Sequence, residues 1–221
     1  MLDLKEINKL DPIVRTVDKG LEEKESSPMD PPSAYEGKKE NIIKPEDHHE
    51  TIRILMREHQ AILEVVERFE TALLRFRLNG YALNPEINLA FADFFKHFDE
   101  KLLAHNTKEE KILFPLLHAR LIESGEHSTS ENPATAIDIM EDDHIKFIQL
   151  AALTFNLLGL ATRLIDDRSR TFVFDTAYEN GRELIEMIKL HIYREDHTLF
   201  PLAYKLIAPE EFEKMLLGMK K

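Results

Sequence analysis

His105-Asn-Thr-Lys-Glu109-Glu-Lys-Ile-Leu113-Phe114-Pro115-Leu116 recurs in outline as His191-Ile-Tyr-Arg-Glu195-Asp-His-Thr-Leu199-Phe200-Pro201-Leu202. Each copy has a lone histidine upstream. His59 precedes His105 by 46 residues, and His144 precedes His191 by 47. The chain therefore carries one unit twice: His, then His-x-x-x-Glu, then Leu-Phe-Pro-Leu.

The surrounding sequence is helical. Apolar residues fall on one stripe at Ile52, Leu55, Met56, Ile62, Leu63, Val66, Phe69 and Leu73, with His59 among them. That spacing predicts a first helix from about residue 47, ended by Asn79-Gly80. Asn84-Pro85-Glu86 starts the second: a cap, a proline in the first turn and an acid at the positive dipole end. This helix carries Phe91, Phe94, Phe95, Phe98, Leu102 and His105 towards Pro115, which is expected to kink or end it. Gly125–Ser130 reads as a loop and Asn132-Pro133 as the next start. The third helix is expected over about 133–166 and the fourth from about 169 past Pro201, with Asp166-Asp-Arg-Ser-Arg as the turn between them. Pro209 opens a short terminal helix.

Four long helices joined by short turns predict an all-α, up-down-up-down antiparallel four-helix bundle over 46–221. His59 lies about 20 residues before its turn and His105 about 20 after it, so at ~1.5 Å per residue the two reach one height. The arms between His144 and His191 match in the same way. All four histidines should form a single layer across the core.

Within His-x-x-x-Glu the side chains share a helix face one turn apart. Glu109 and Glu195 thus reach the histidine layer. Imidazole and carboxylate without thiolate suit iron, manganese or zinc. Six such groups exceed the needs of one tetrahedral zinc. They fit two metal ions, each with two His, bridged by the two Glu. Taken singly, His-x-x-x-Glu is as well explained by a helix salt bridge; it is the duplication that points to a metal. A ferritin-like reading would use Glu141-x-x-His144 and Glu46-x-x-His49, but it leaves the His-x-x-x-Glu histidines without a role.

The other candidates are weaker. Asp196 and Glu110 could replace Glu195 and Glu109, although each points about 140° from its histidine. His97 shares a face with His105 two turns away. His48 and His49 are expected at the surface, His118 past Pro115, His127 in a loop, and His197 off the His191 face. The apolar side of helix three (Phe147, Ile148, Ala151, Phe155, Leu158) is expected in the core. That helix is apolar on nearly all sides, so part of it is expected to contact a second copy in a homodimer.

Residues 1–45 differ from the rest, being charged and proline-bearing, and read as an extension or linker with one short amphipathic piece from Leu4 to Val17. The 221 residues carry a net charge of -12 and no cysteine. The charge argues against nucleic acid. The absence of cysteine excludes disulfides, thiolate catalysis and cysteine-ligated clusters. No signal peptide is read at Met1-Leu-Asp-Leu-Lys-Glu, and Leu150–Ile165 is shorter than the ~20 apolar residues of a membrane span. A cytoplasmic protein without a membrane partner is expected.

The duplicated His…His-x-x-x-Glu with Leu-Phe-Pro resembles the hemerythrin-like (HHE cation-binding) family over about residues 47–208. The resemblance implies a four-helix bundle around a non-haem di-iron centre, its two iron ions oxo- or hydroxo-bridged. His59, His105, His144 and His191 would be terminal ligands, with Glu109 and Glu195 bridging. Oxygen-carrying members add a fifth histidine four residues after the one on helix three. Here that position is Ile148. The four-His, two-Glu set is more similar to the Repair of Iron Centres proteins, although many of those bear a cysteine-containing N-terminal domain. The resemblance implies binding of nitric oxide, oxygen or peroxide in stress response or iron-centre repair. The alternative is a sensing module whose metal state controls a partner or the N-terminal extension. Whether the centre also catalyses, as a nitric oxide reductase or peroxidase would, is left open by these residues.

Overall fold

The computed structural model describes residues 47–130 and 132–219. The extension expected over 1–45, with its amphipathic piece, lies outside them. The described residues are helical, without strands. Arm one is α1 (Glu50–Leu78). Arm two is one unbroken helical run: α2 (Pro85–His97), a π-turn (Phe98–Leu102), α3 (Leu103–Lys108), a second π-turn (Glu109–Leu113) and α4 (Phe114–Ser124). Arm three is α5 (Ala136–Ala161). Arm four joins α6 (Asp167–Arg194), a π-turn (Glu195–Leu199) and α7 (Phe200–Leu206). The short α8 (Pro209–Met219) follows. Arm one packs against arms two and four, and arm three against arms four and two. This closes the expected bundle.

The ends follow local chemistry. Asn84 caps α2 by accepting from Ile87 N–H, with Pro85 at the first position. The Asn79 cap is followed by Gly80 at φ +62°, a left-handed turn that glycine adopts without steric cost. Arm three starts later than Asn132-Pro133 suggests. Thr135 caps it and Asp138 reciprocates, a capping box that outcompetes the earlier signal. Arm three also ends earlier, at Ala161, and Asp166 caps α6 by accepting from Ser169 N–H.

Pro115 and Pro201 do not end their helices. A proline ring clashes with the carbonyl four residues back and donates no hydrogen bond. Here the chain widens by one residue just before it: Phe114 N–H reaches back to the Glu109 carbonyl, and Phe200 N–H to that of Glu195. The π-turn absorbs the proline and the helix continues. The third π-turn, at Phe98, has no proline, and nothing in the structure explains it.

The core away from the histidine layer is largely aromatic. Phe69 stacks on Phe94 at 4.0 Å, and Phe76 meets Phe91 and Phe174 edge-on. Gly181 on arm four faces arm one; a β-carbon there would lie 2.9 Å from Leu73. Arm three departs from expectation. Phe147 and Ala151 are buried, but Ile148 and Phe155 are about half exposed. By length and composition α5 is apolar enough to cross a membrane, yet only 28% of its most apolar stretch is buried inside the protein. Its apolarity therefore lies mostly on its outer face.

Candidate metal centre

All six candidate ligands meet in one layer. His59 and His105 bring their Nε2 atoms to 2.9 Å, and His144 and His191 theirs to 3.1 Å. Glu109 places Oε1 3.2 Å from His105 Nε2 and Oε2 3.6 Å from His144 Nε2. Glu195 Oε2 lies 3.1 Å from His59 Nε2 and 3.3 Å from His191 Nε2. Two clusters result, His59–His105–Glu109–Glu195 and His144–His191–Glu109–Glu195. In each, one ligand atom per residue falls within 4.8 Å of the others. The two glutamates belong to both.

The outer nitrogens are held by a closed ring of carboxylates. Asp196 on arm four takes His59 Nδ1 on arm one at 2.8 Å. Glu58 on arm one takes His105 on arm two at 2.9 Å. Glu110 on arm two takes His144 on arm three at 2.8 Å, and Asp143 on arm three takes His191 on arm four at 3.4 Å. An ionised carboxylate only accepts, so Nδ1–H donates. Once its inner nitrogen gives up its proton, each ring turns an Nε2 lone pair inward, the tautomer a metal ligand needs. Lys108 pairs with Glu58, and Arg194 lies 3.6 Å from Asp143.

Asp196 and Glu110 thus stand behind the histidines and outside the two converging clusters. Glu58 and Asp143 are roles that spacing arguments on histidine and glutamate missed. The signal was present: an acid directly precedes each upstream histidine and directly follows each glutamate of the layer. Adjacent residues on a helix diverge by about 100°, so one faces the core while its neighbour faces the next arm.

Aromatic rings pack against the histidine layer. Phe200 stacks on His59 with centroids 5.4 Å apart, and Phe114 on His144 at 5.8 Å. The Phe of each Leu-Phe-Pro-Leu thus floors a histidine on the next arm. Phe147 meets the His191 ring edge-on at 5.0 Å. Ile148, where a fifth histidine would stand, lies half exposed on the outer side of arm three.

This layer demands positive charge. Glu109 and Glu195 are 0% exposed, and none of their four carboxylate oxygens has a hydrogen-bond partner among the described residues. Burying such an ion uncompensated costs several kcal/mol. Burial opposes charge on His59, but Asp196, Glu195 and Glu109 outweigh it and lift the imidazole to about 10. His191 rises to about 10 against the same burial, through Glu195, Asp143 and Glu109. His105 rises to about 9 through Glu109 and Glu58. Burial, joined by the charge of His191, lowers His144. Burial opposes ionisation of Glu195, yet His191 and His59 hold it well below the usual carboxylate range. Metal cations answer the same demand as these protons, and the converging nitrogen and oxygen lone pairs fit them.

The remaining histidines lie outside this layer. His48 is buried, not exposed as expected, with both ring nitrogens unpartnered and an edge-on contact to Tyr204. His49 caps α1, accepting from Thr51 N–H, and stacks on Phe212 of α8. His118 bonds Thr135, while His127 and His197 are exposed. His97 is half-buried on arm two. Glu141, which the ferritin-like reading requires, is exposed.

A duplicated His–His–Glu layer inside a four-helix bundle defines a metal-binding helical protein. The chain belongs to the hemerythrin HHE cation-binding domain family, whose model matches residues 50–203. It is similar to the iron-sulfur cluster repair protein YtfE of Cronobacter sakazakii, with 25% identity over 123 residues. That match covers 56% of this chain and 51% of the relative, so the chain spans about half the length of that protein. No solved structure matches.

Proposed function

We propose that the layer holds two iron ions: one on His59 and His105, the other on His144 and His191, with Glu109 and Glu195 shared between them. The observation that carries this reading is the sharing itself. Glu109 turns one oxygen to each histidine pair, and Glu195 presents one oxygen to both. Bound iron supplies redox chemistry and open coordination positions for nitric oxide, oxygen or peroxide.

The protein's part is orientation and exclusion. The carboxylate ring fixes all four imidazoles and raises their basicity. Phe114, Phe147 and Phe200 keep water from the layer and present an apolar wall to a small diatomic. No fifth imidazole enters from position 148, which favours an open site over a filled one. A role in stress response or iron-centre repair is supported by the likeness to the YtfE protein. With no cysteine in these 221 residues, that role runs through the metal site and not through a thiol.

Titration of the anaerobically iron-loaded protein with nitric oxide tests the reading. New optical bands that saturate at a fixed ratio to iron, and weaken with the iron content of His105→Ala, are expected. A spectrum indistinguishable from that of free iron would refute it.

A further inference from the structure

We propose that the outer face of arm three joins two copies of this chain into an antiparallel dimer with its two-fold axis through Ala152. Glu141, Ile145, Ile148, Ala152, Phe155 and Gly159 recur every three or four residues on one side of α5, and Arg163 follows in the turn just past its end, its Nε donating to the Gly159 carbonyl at 3.2 Å. Ile145, Ile148 and Phe155 are 55, 49 and 59% exposed. An apolar stripe of this length on one helix is not needed for the bundle.

The face is complementary to itself. A two-fold axis through Ala152 carries position 141 onto 163, 145 onto 159 and 148 onto 156. It therefore sets the acidic Glu141 of one copy against the basic Arg163 of the other, at both ends. It also sets Ile145 against Gly159. A β-carbon at Gly159 would meet nothing within 4 Å, so the helix has a notch there. Beside the notch runs an apolar groove of about 480 Å³ whose lining includes Phe91, Phe95, Phe155 and Leu158. Ile145 of the second copy fits this groove. Ala152 at the axis and Gly159 two turns along the same face allow close helix approach, as small residues do at tight crossings. A parallel arrangement would instead set like charges together at each end.

Sedimentation of the full chain tests the proposal. A dimer is expected at micromolar concentration. Ile148→Glu or Phe155→Glu should give a monomer of unchanged helical content. Glu141→Arg and Arg163→Glu should each weaken the dimer, and together restore it. The chain has no native cysteine, so Ala152→Cys should form a disulfide-linked pair on oxidation while Glu67→Cys on arm one does not. A monomer at every concentration overturns the proposal, as does a dimer indifferent to Phe155→Glu. So does a monomer that this face anchors to phosphatidylcholine vesicles, because the occupant would then be lipid.

Discussion

Asp196 accepts a hydrogen bond from His59 Nδ1 at 2.8 Å across two arms of the bundle, while its neighbour Glu195 points inward to the same imidazole's Nε2 at 3.1 Å. One acidic dipeptide thus grips both nitrogens of one histidine. Glu109-Glu110 repeats the arrangement against His144, at 3.6 Å and 2.8 Å. Asp196→Ala should leave the fold intact and lower metal affinity about 10- to 100-fold, the usual cost of losing such an orienter. Competition with a chelator measures it. Glu58→Ala should act likewise, because the ring is closed; an unchanged affinity in both variants would show the ring to be irrelevant.

Shared and private ligands should behave differently. Glu109→Ala removes an oxygen from both clusters and should reduce occupancy of both ions. His105→Ala removes a ligand from one cluster, so the other should still load. Metal counting on the two purified variants separates these outcomes.

Metal binding should be opposed by acid. In the metal-free site His59 and His191 are raised to about 10 and His105 to about 9, so all three hold protons at neutral pH. A metal ion must displace those protons, so affinity should climb with pH and loading should release acid. Stability of the metal-free fold has the same origin. The contribution of these raised groups is fully present below the ordinary imidazole pKa of ~6.5 and is lost as pH rises through their folded values. His144, lowered by burial and by His191, takes no part in that release. Proton release in a weakly buffered titration checks the first point, and thermal unfolding of metal-free protein between neutral and alkaline pH the second.

The aromatic core should be separable from the site. Phe69 is fully buried and stacks on Phe94 at 4.0 Å. Phe69→Ala should cost about 3–5 kcal/mol of stability. Ten residues from His59, it should leave metal affinity nearly unchanged below the new melting temperature. Denaturant unfolding and chelator competition on the same variant give both values.

Most of the fold was readable because the duplicated unit fixes arm lengths, and arm lengths fix which residues share a height. That is why His59, His105, His144 and His191 met as expected. The π-turns were not readable from proline alone. Pro115 and Pro201 announce a disturbed hydrogen-bond ladder but not whether the chain stops or widens. Glu58 and Asp143 were missed because a carboxylate on the next arm is invisible to a rule that follows one helix at a time. His48 was misjudged for a related reason: α7 and α8 cover it, and nothing near residue 48 in sequence signals them. Ile148 and Phe155 were assigned to the core because composition reports apolarity without its direction.

The central claim is that two irons share Glu109 and Glu195. Mössbauer spectroscopy of protein loaded anaerobically with iron and then oxidised tests it most directly. Two irons per chain, coupled into a diamagnetic pair, are the predicted result. One iron per chain, or two magnetically isolated ions, would contradict it.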